Sequence, residues 1–368
     1  MAGAAAPETP ESPRDRESAA PQSQAHDGGS PGEPGSAPNP PVSRPPPSSK
    51  VALKELEKGS SLWRDAWRRL KKNKAAVVSG VVLVAMIVAC ILVPELSKWR
   101  YDKADLTVGP TPPSWAHWMG TDYFGRDLMA RIFFGGRISF AVGIVSTVVS
   151  FVIGISWGGV AGYFGGKIDA IMMRIVDALY TFPFLILVIL LMVFFGNDQT
   201  VLYRIWIVVL GVFVSQPKDP SYFPIFQIVL IFGALGSISW LTMARIVRGQ
   251  VISLRSQPFV EAARSVGVGH ASLIFRHLIP NALGPIIVYT TLTIPEVMMT
   301  EAFLSFLGLG TQEPLSSWGL LASTGADAMN LYPWLLAFPA VMLATTLFCF
   351  NFLGDGLRDA LDPRIRKD

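Results

Sequence analysis

The sequence predicts an all-α membrane protein with six transmembrane helices and both termini on the cytoplasmic side, and three observations carry that prediction. First, the 368-residue chain is 51% hydrophobic and only 16% charged, with mean hydropathy +0.41, too apolar for an ordinary soluble domain of this size. Second, apolar runs nearly free of charge recur at lengths near the roughly 20 residues that cross a hydrocarbon core. Third, Lys and Arg gather beside alternate runs, and such clusters stay cytoplasmic.

Residues 1–50 hold twelve of the 28 prolines, many Ser, Ala and Gly, and almost no large apolar side chain. They bury too little surface to offset their ordering entropy and are expected to form a disordered cytoplasmic tail. No basic start followed by an apolar core marks a secretory signal there. From Val51 to Lys74 the chain turns basic, with eight Lys/Arg alongside Leu53, Leu56, Leu62, Trp63, Trp67 and Leu70. The spacing fits an amphipathic helix lying on the membrane surface; the charge alone also fits a plain stop-transfer flank.

The expected spans are Ala75–Pro94, Ile138–Phe164, Ala178–Gly196, Ser221–Ala244, Leu278–Leu309 and Ala328–Gly354. Residues 95–135 form an extracytoplasmic segment between the first span and a core, 136–366, that holds the other five. Arg245, Arg248, Arg255, Arg264 and Arg276 place the loop 245–280 inside, as Arg358, Arg364, Arg366 and Lys367 place the C-terminus. By contrast Thr311–Asp327 has neither Lys nor Arg. Ile205–Pro217 is only 13 residues, and counting it as a crossing would put 245–276 outside. It is read as a re-entrant or interfacial element within an outer-face insertion at about 197–222.

Several function classes drop out. The formal charge is +4 and the pI about 9.1, but the cations flank spans, where they face anionic lipid, so nucleic acid is not an expected partner. Cys90 and Cys349 lie in apolar runs and read as small buried hydrophobes, with no metal site implied. A phosphate loop needs G-x-x-x-x-G-K-[ST], whereas Gly166-Lys167 is followed by Ile168 and preceded at the required position by Ala161. There is no H-E-x-x-H, and His26, His117, His270 and His277 all lie outside the spans, so the chain is not expected to be an enzyme or to hold a cofactor.

The most informative segment is Glu261-Ala262-Ala263-Arg264-Ser265-Val266-Gly267, followed nine residues later by His277-Leu278-Ile279-Pro280. It reads as a short helix started at Pro258, apolar along Phe259, Val260, Ala263 and Val266, and closed by Gly267, with a second helix from His270 to Pro280. Such a helix suits a groove in a soluble partner; an amphipathic interfacial loop is the plainer alternative. These residues resemble the EAA loop of binding-protein-dependent ABC importer permeases. Trp118–Asp127, Arg137-Ile138-Ser139, Ala244–Gln250, Leu304–Gly310 and Asn351–Asp359 are similar to the second permease subunit of dipeptide, oligopeptide and nickel importers, so the resemblance covers about residues 62–366.

That resemblance implies a type I ABC importer permease fold in a bacterial or archaeal plasma membrane. It implies pairing with a sister permease, two cytoplasmic ATPase subunits that bind ATP and Mg, and an extracytoplasmic solute-binding protein that delivers peptides or similar small solutes. Nickel complexes and glutathione-like molecules stay open as substrates. Glu261, Ala262, Ala263, Gly267 and Pro280 would then contact the ATPases, and transport would proceed by alternating access. The Pro-rich tail and the insertion around 204–223 are longer than the family pattern.

Gly154, Gly158, Gly162 and Gly166 recur every four residues, which suits close helix packing and also a hinge. Glu296 and Glu301 lie at expected membrane depth; they could face a translocation cavity, or cap or pair near the outer interface. Facing a cavity, they would also serve the rival reading, an ion-coupled secondary transporter, although no inverted repeat is evident. Arg174 and Asp177 have i,i+3 ion-pair spacing. Trp115, Trp118, Tyr332 and Trp334 are placed in an outer aromatic belt.

Overall fold

The computed structural model describes residues 62–212 and 222–361. The expected tail (1–50), the first part of the basic segment (51–61), residues 213–221 of the insertion and the terminal 362–368 lie outside the described residues.

The basic segment folds as α1 (Leu62–Lys72). Ala66 is buried, while Arg64, Trp67, Arg68, Lys71 and Lys72 point outward. Asn73 ends it and caps α2 (Lys74–Leu96) by accepting from the Ala76 N–H at 3.2 Å. After a loop over 97–127, Asp127 caps α3 (Leu128–Phe164) through a 2.8 Å bond from the Ala130 N–H. The helix thus starts ten residues before the expected Ile138, because a capping carboxylate rather than the start of the apolar run sets its end. At 37 residues it is about 55 Å long.

Gly165, at φ 65°, ends α3. The expected third span is not one helix: α4 (Gly166–Thr181) and α5 (Phe184–Phe195) meet at 85°. Pro183 has no N–H to continue the ladder, and it holds Phe182 in the extended backbone that a residue before proline prefers. α6 (Val201–Leu210) has ten residues, about 15 Å, too short to cross a hydrocarbon core.

α7 (Phe223–Leu254) starts with Pro224 in its first turn and runs ten residues past the expected end. α8 (Pro258–Ser265) and the short α9 (His270–Ser272) follow. A π-helix (Leu273–Leu278) then leads into α10 (Ile279–Phe306), so Pro280 does not end a helix. The Ile279 N–H reaches back five residues to the Ile274 carbonyl, and this wider turn relieves the clash a proline ring makes in regular α-helix. α11 (Trp318–Asp327) and α12 (Trp334–Leu361) complete the fold, the latter shifted six residues from the expected start. Among the described residues, five helices are long and apolar enough to cross a membrane, and the bent α4–α5 pair, taken as one span, makes a sixth.

The seam between α3 and α7 is the most extensive contact among the elements. A Cβ at Gly154 would overlap Met243, one at Gly158 the Ala244 carbonyl, and one at Gly162 the Arg248 carbonyl and Val251. Only hydrogen at these positions lets the two backbones approach. Gly166 is not part of this stripe: it opens α4 at φ 55° and faces open space. The repeat of four outruns the helix, which stops at Phe164.

Candidate functional site

At the Arg-rich end of the molecule, α7 and the arginine that follows it are strapped to α4 and to the end of α3. Arg248 pairs with Asp169 through two bonds of 2.5 and 2.6 Å, and Arg255 Nη1 donates to the Gly162 carbonyl at 3.2 Å. Asp177 takes Arg245 at 2.7 Å, with that guanidinium 4.0 Å from the Tyr180 ring centroid. The expected Arg174–Asp177 pair is therefore replaced by one from another helix.

From this frame α8 projects. Val260, fully buried, anchors it among Val247, Val251, Leu273 and Ile274. Opposite that anchor Glu261 and Ala262 are exposed, Ala263 is half-buried, and Val266 is 84% exposed. Gly267 closes the helix at φ 84°, the left-handed backbone that glycine takes without a Cβ penalty, and the Val268 N–H returns to the Ala263 carbonyl at 3.1 Å. Pro280 is exposed two turns beyond the π-helix start.

Tyr163, near the end of α3, touches both sides of the Gly267 turn. Its Oη lies 2.7 Å from His270 Nδ1, and the Arg264 guanidinium stands 5.2 Å from its ring centroid. Neither Tyr163 nor His270 stands out in the sequence, since their 107-residue separation hides the contact.

At the opposite end of α3 a polar cluster closes the fold. Asp122 Oδ2 accepts from Arg126 Nε at 2.6 Å and Arg131 Nη1 at 2.5 Å. Glu313 Oε1 accepts from Arg126 and Arg131 at 2.9 and 3.1 Å. Burial acts to raise the Glu313 carboxyl, but the hydrogen bond and charge of Arg126, seconded by Arg131, outweigh it and hold the group below the ordinary carboxylate range. His117 Nδ1 sits 2.9 Å from Asp127. Trp334 Nε1 donates to the Thr121 carbonyl at 3.4 Å and Tyr332 packs edge-on to Tyr123, so these two hold the loop, whereas Trp115 and Trp118 are exposed.

The structure separates the two candidate pathway carboxylates. Glu301 is 1% exposed, and its Oε1 accepts from Ser305 Oγ at 2.7 Å and Thr311 Oγ1 at 3.3 Å, which ties down the turn after α10. Glu296 is exposed on the helix surface.

Helices long enough to cross a membrane, with an exposed helix-turn built onto one end, make an integral membrane fold whose family the comparisons with known proteins give. The model for "Binding-protein-dependent transport system inner membrane component" matches residues 128–367, and that for the N-terminal transmembrane domain of oligopeptide transport permease C matches residues 61–113. The chain belongs to this family of binding-protein-dependent inner-membrane transport components. It is 48% identical over 310 residues to the oligopeptide transport system permease protein OppC of Escherichia coli (strain K12), covering 84% of this chain and 93% of that one. Its identity to OppC of Bacillus subtilis (strain 168) is 43%, over 86% and 94% of the two chains, and to the dipeptide permease DppC of that organism 42%, over 83% and 87%. Among solved structures, the inward-facing MetNI methionine ABC transporter aligns with 64% of this chain and 98% of that one at 21% identity and TM-score 0.44, too distant to carry an argument.

Proposed function

We propose that this chain is the translocating subunit of an ATP-driven peptide importer, working by alternating access beside a sister permease. Two cytoplasmic ATPases would bind ATP and Mg and seat α8 through Glu261, Ala262, Ala263 and Gly267, while an extracytoplasmic binding protein delivers a di- or oligopeptide. The observation that carries the reading is α8 itself: one buried anchor, Val260, and an otherwise solvent-facing helix beside five arginines. Its relatives, named as oligopeptide and dipeptide permeases, support the substrate class. The arginines support a cytoplasmic position for 245–280 and for both termini.

Purification of the tagged chain from native membranes, with mass spectrometry of its companions, tests this. The wild type is expected to bring two ATPases and a second permease, and the Glu261→Ala, Gly267→Pro variant to lose the ATPases. A chain that comes alone, or keeps its companions after the loop is broken, sinks the reading. The ion-coupled alternative would need Glu296 and Glu301 to share a path; uptake that survives their double Ala substitution would end it.

A further inference from the structure

Tyr163 occupies a position that the sequence motifs do not mark. It is the second-last residue of α3, is 6% exposed, and belongs to the core cluster that buries Val260 of α8. Its ring lies beneath the Arg264 guanidinium, and its hydroxyl meets His270 Nδ1 at 2.7 Å. Arg264 is in the last turn of α8 and His270 is the first residue of α9, so one side chain grips both arms of the turn at Gly267. Phe164 adds a ring contact to His270 at 5.6 Å.

What lies on the far side of Tyr163 gives this grip its meaning. α3 is the longest of the described helices, and Gly154, Gly158 and Gly162 seat it against α7 without side chains between. Its other end carries Arg131, Ser139 and the Ile132 carbonyl, which hold Asp122, Glu313 and Trp318. A displacement of α8 would thus reach the opposite end of the molecule along one rigid rod, provided α8 is fastened to it. Val260 fastens α8 by apolar contact, which permits sliding; the hydrogen bond and the cation over the ring are directional and resist it.

We infer that Tyr163 is a positioning residue: through Arg264 and His270 it transmits the movement of the α8–Gly267 turn to α3, and so sets how much transport each ATP yields. This rests on the proposal that α8 docks on ATPases.

The test uses the whole complex, co-purified with its partners and reconstituted in vesicles with its binding protein. A tryptic digest of casein serves as probe, with uptake of each peptide read by mass spectrometry and ATP hydrolysis by phosphate release. Tyr163→Phe keeps the ring under Arg264 but loses the hydroxyl. Peptide taken up per ATP is expected to fall about fivefold, the factor one neutral hydrogen bond represents, with ATPase content and hydrolysis unchanged. His270→Ala should match it, Tyr163→Leu should fall further, and Arg264→Lys, which keeps a cation over the ring, should stay closer to wild type than Arg264→Ala. If Tyr163→Leu fails to fold, the Phe and His270 variants carry the test. An unchanged ratio in Tyr163→Phe and His270→Ala overturns the inference. So does loss of ATPases from folded variants, which would make Tyr163 part of the docking surface. A wild-type complex without ATPases removes the docking proposal first, and this inference with it.

Discussion

The two ends of α3 are built in opposite ways. At its start, Asp122, Arg126 and Arg131 are each at most 7% exposed and bind one another and Glu313, which comes from a loop more than 180 residues away. At its finish, the polypeptide beyond it presents Glu261, Ala262, Val266 and Gly267 to the outside, buries Val260 with Ala263 and Val268 half-buried beside it, and is held by Arg264 and His270, themselves exposed, against Tyr163. A closed charge network is costly to break and holds one arrangement, whereas a helix on a single apolar peg and one aromatic clasp is free to be gripped by something else. The first end reads as a fixed closure and the second as a handle.

The largest effect should come from breaking the closure. Arg131→Met removes one of the two arginines that Asp122 and Glu313 share and leaves Arg126 alone against two carboxylates, one of them buried, a loss of up to roughly 3–5 kcal/mol. Purified protein is expected to melt far below wild type, or not to accumulate. Glu261→Ala at the handle is expected to leave the melting temperature nearly unchanged, since exposed substitutions stay within about 0.5 kcal/mol. Equal stability of the two variants would erase the distinction between the ends.

Next in size is the seam that joins the ends. Gly158→Leu pushes a side chain into the Ala244 carbonyl and Val247, and overpacking of this kind costs about 1–3 kcal/mol or more. Gly166→Leu meets open space and bears only the strain of a positive φ, of order 1–3 kcal/mol. The informative readout is compensation: Val247→Ala should restore part of the Gly158→Leu loss and none of the Gly166→Leu loss, as followed by thermal unfolding in detergent.

Legibility follows the same division. The start and stop of the handle could be read, because Pro258 and Gly267 are local instructions, as is the stripe Gly154, Gly158, Gly162; of its expected apolar side only Val260 is buried and Ala263 half-buried, while Phe259 and Val266 face outward. Extrapolating a local period failed where a boundary intervened: the four-residue repeat ran past Gly165 into Gly166. Local pairing also failed at Asp177, which is taken by Arg245 from 68 residues away. The bend at Pro183 was visible as a proline but concealed by the apolar residues on both sides of it. The closure was only partly legible, since its charges stand together in Gly120–Arg131 while Glu313 is assigned to them by folding alone. Tyr163 had no local signal at all.

The smallest predicted effect concerns acid, and it probes whether the closure holds by charge or by shape. Glu313 titrates below the ordinary carboxylate range in the folded protein because Arg126 and Arg131 favour its charged form. The unfolded chain therefore binds its proton first as pH falls, so the stability Glu313 adds is whole above its unfolded value, about 4.3, and disappears as pH drops through the lower folded value. Wild type should lose melting temperature over that acid window more steeply than Glu313→Gln, which keeps the shape and one acceptor oxygen but cannot titrate. Above pH 5 the Gln variant should already melt slightly lower than wild type, and the two curves should converge toward the acid end. Parallel curves would mean that Glu313 contributes by filling its place beside the two arginines, leaving Asp122 alone to balance their charge.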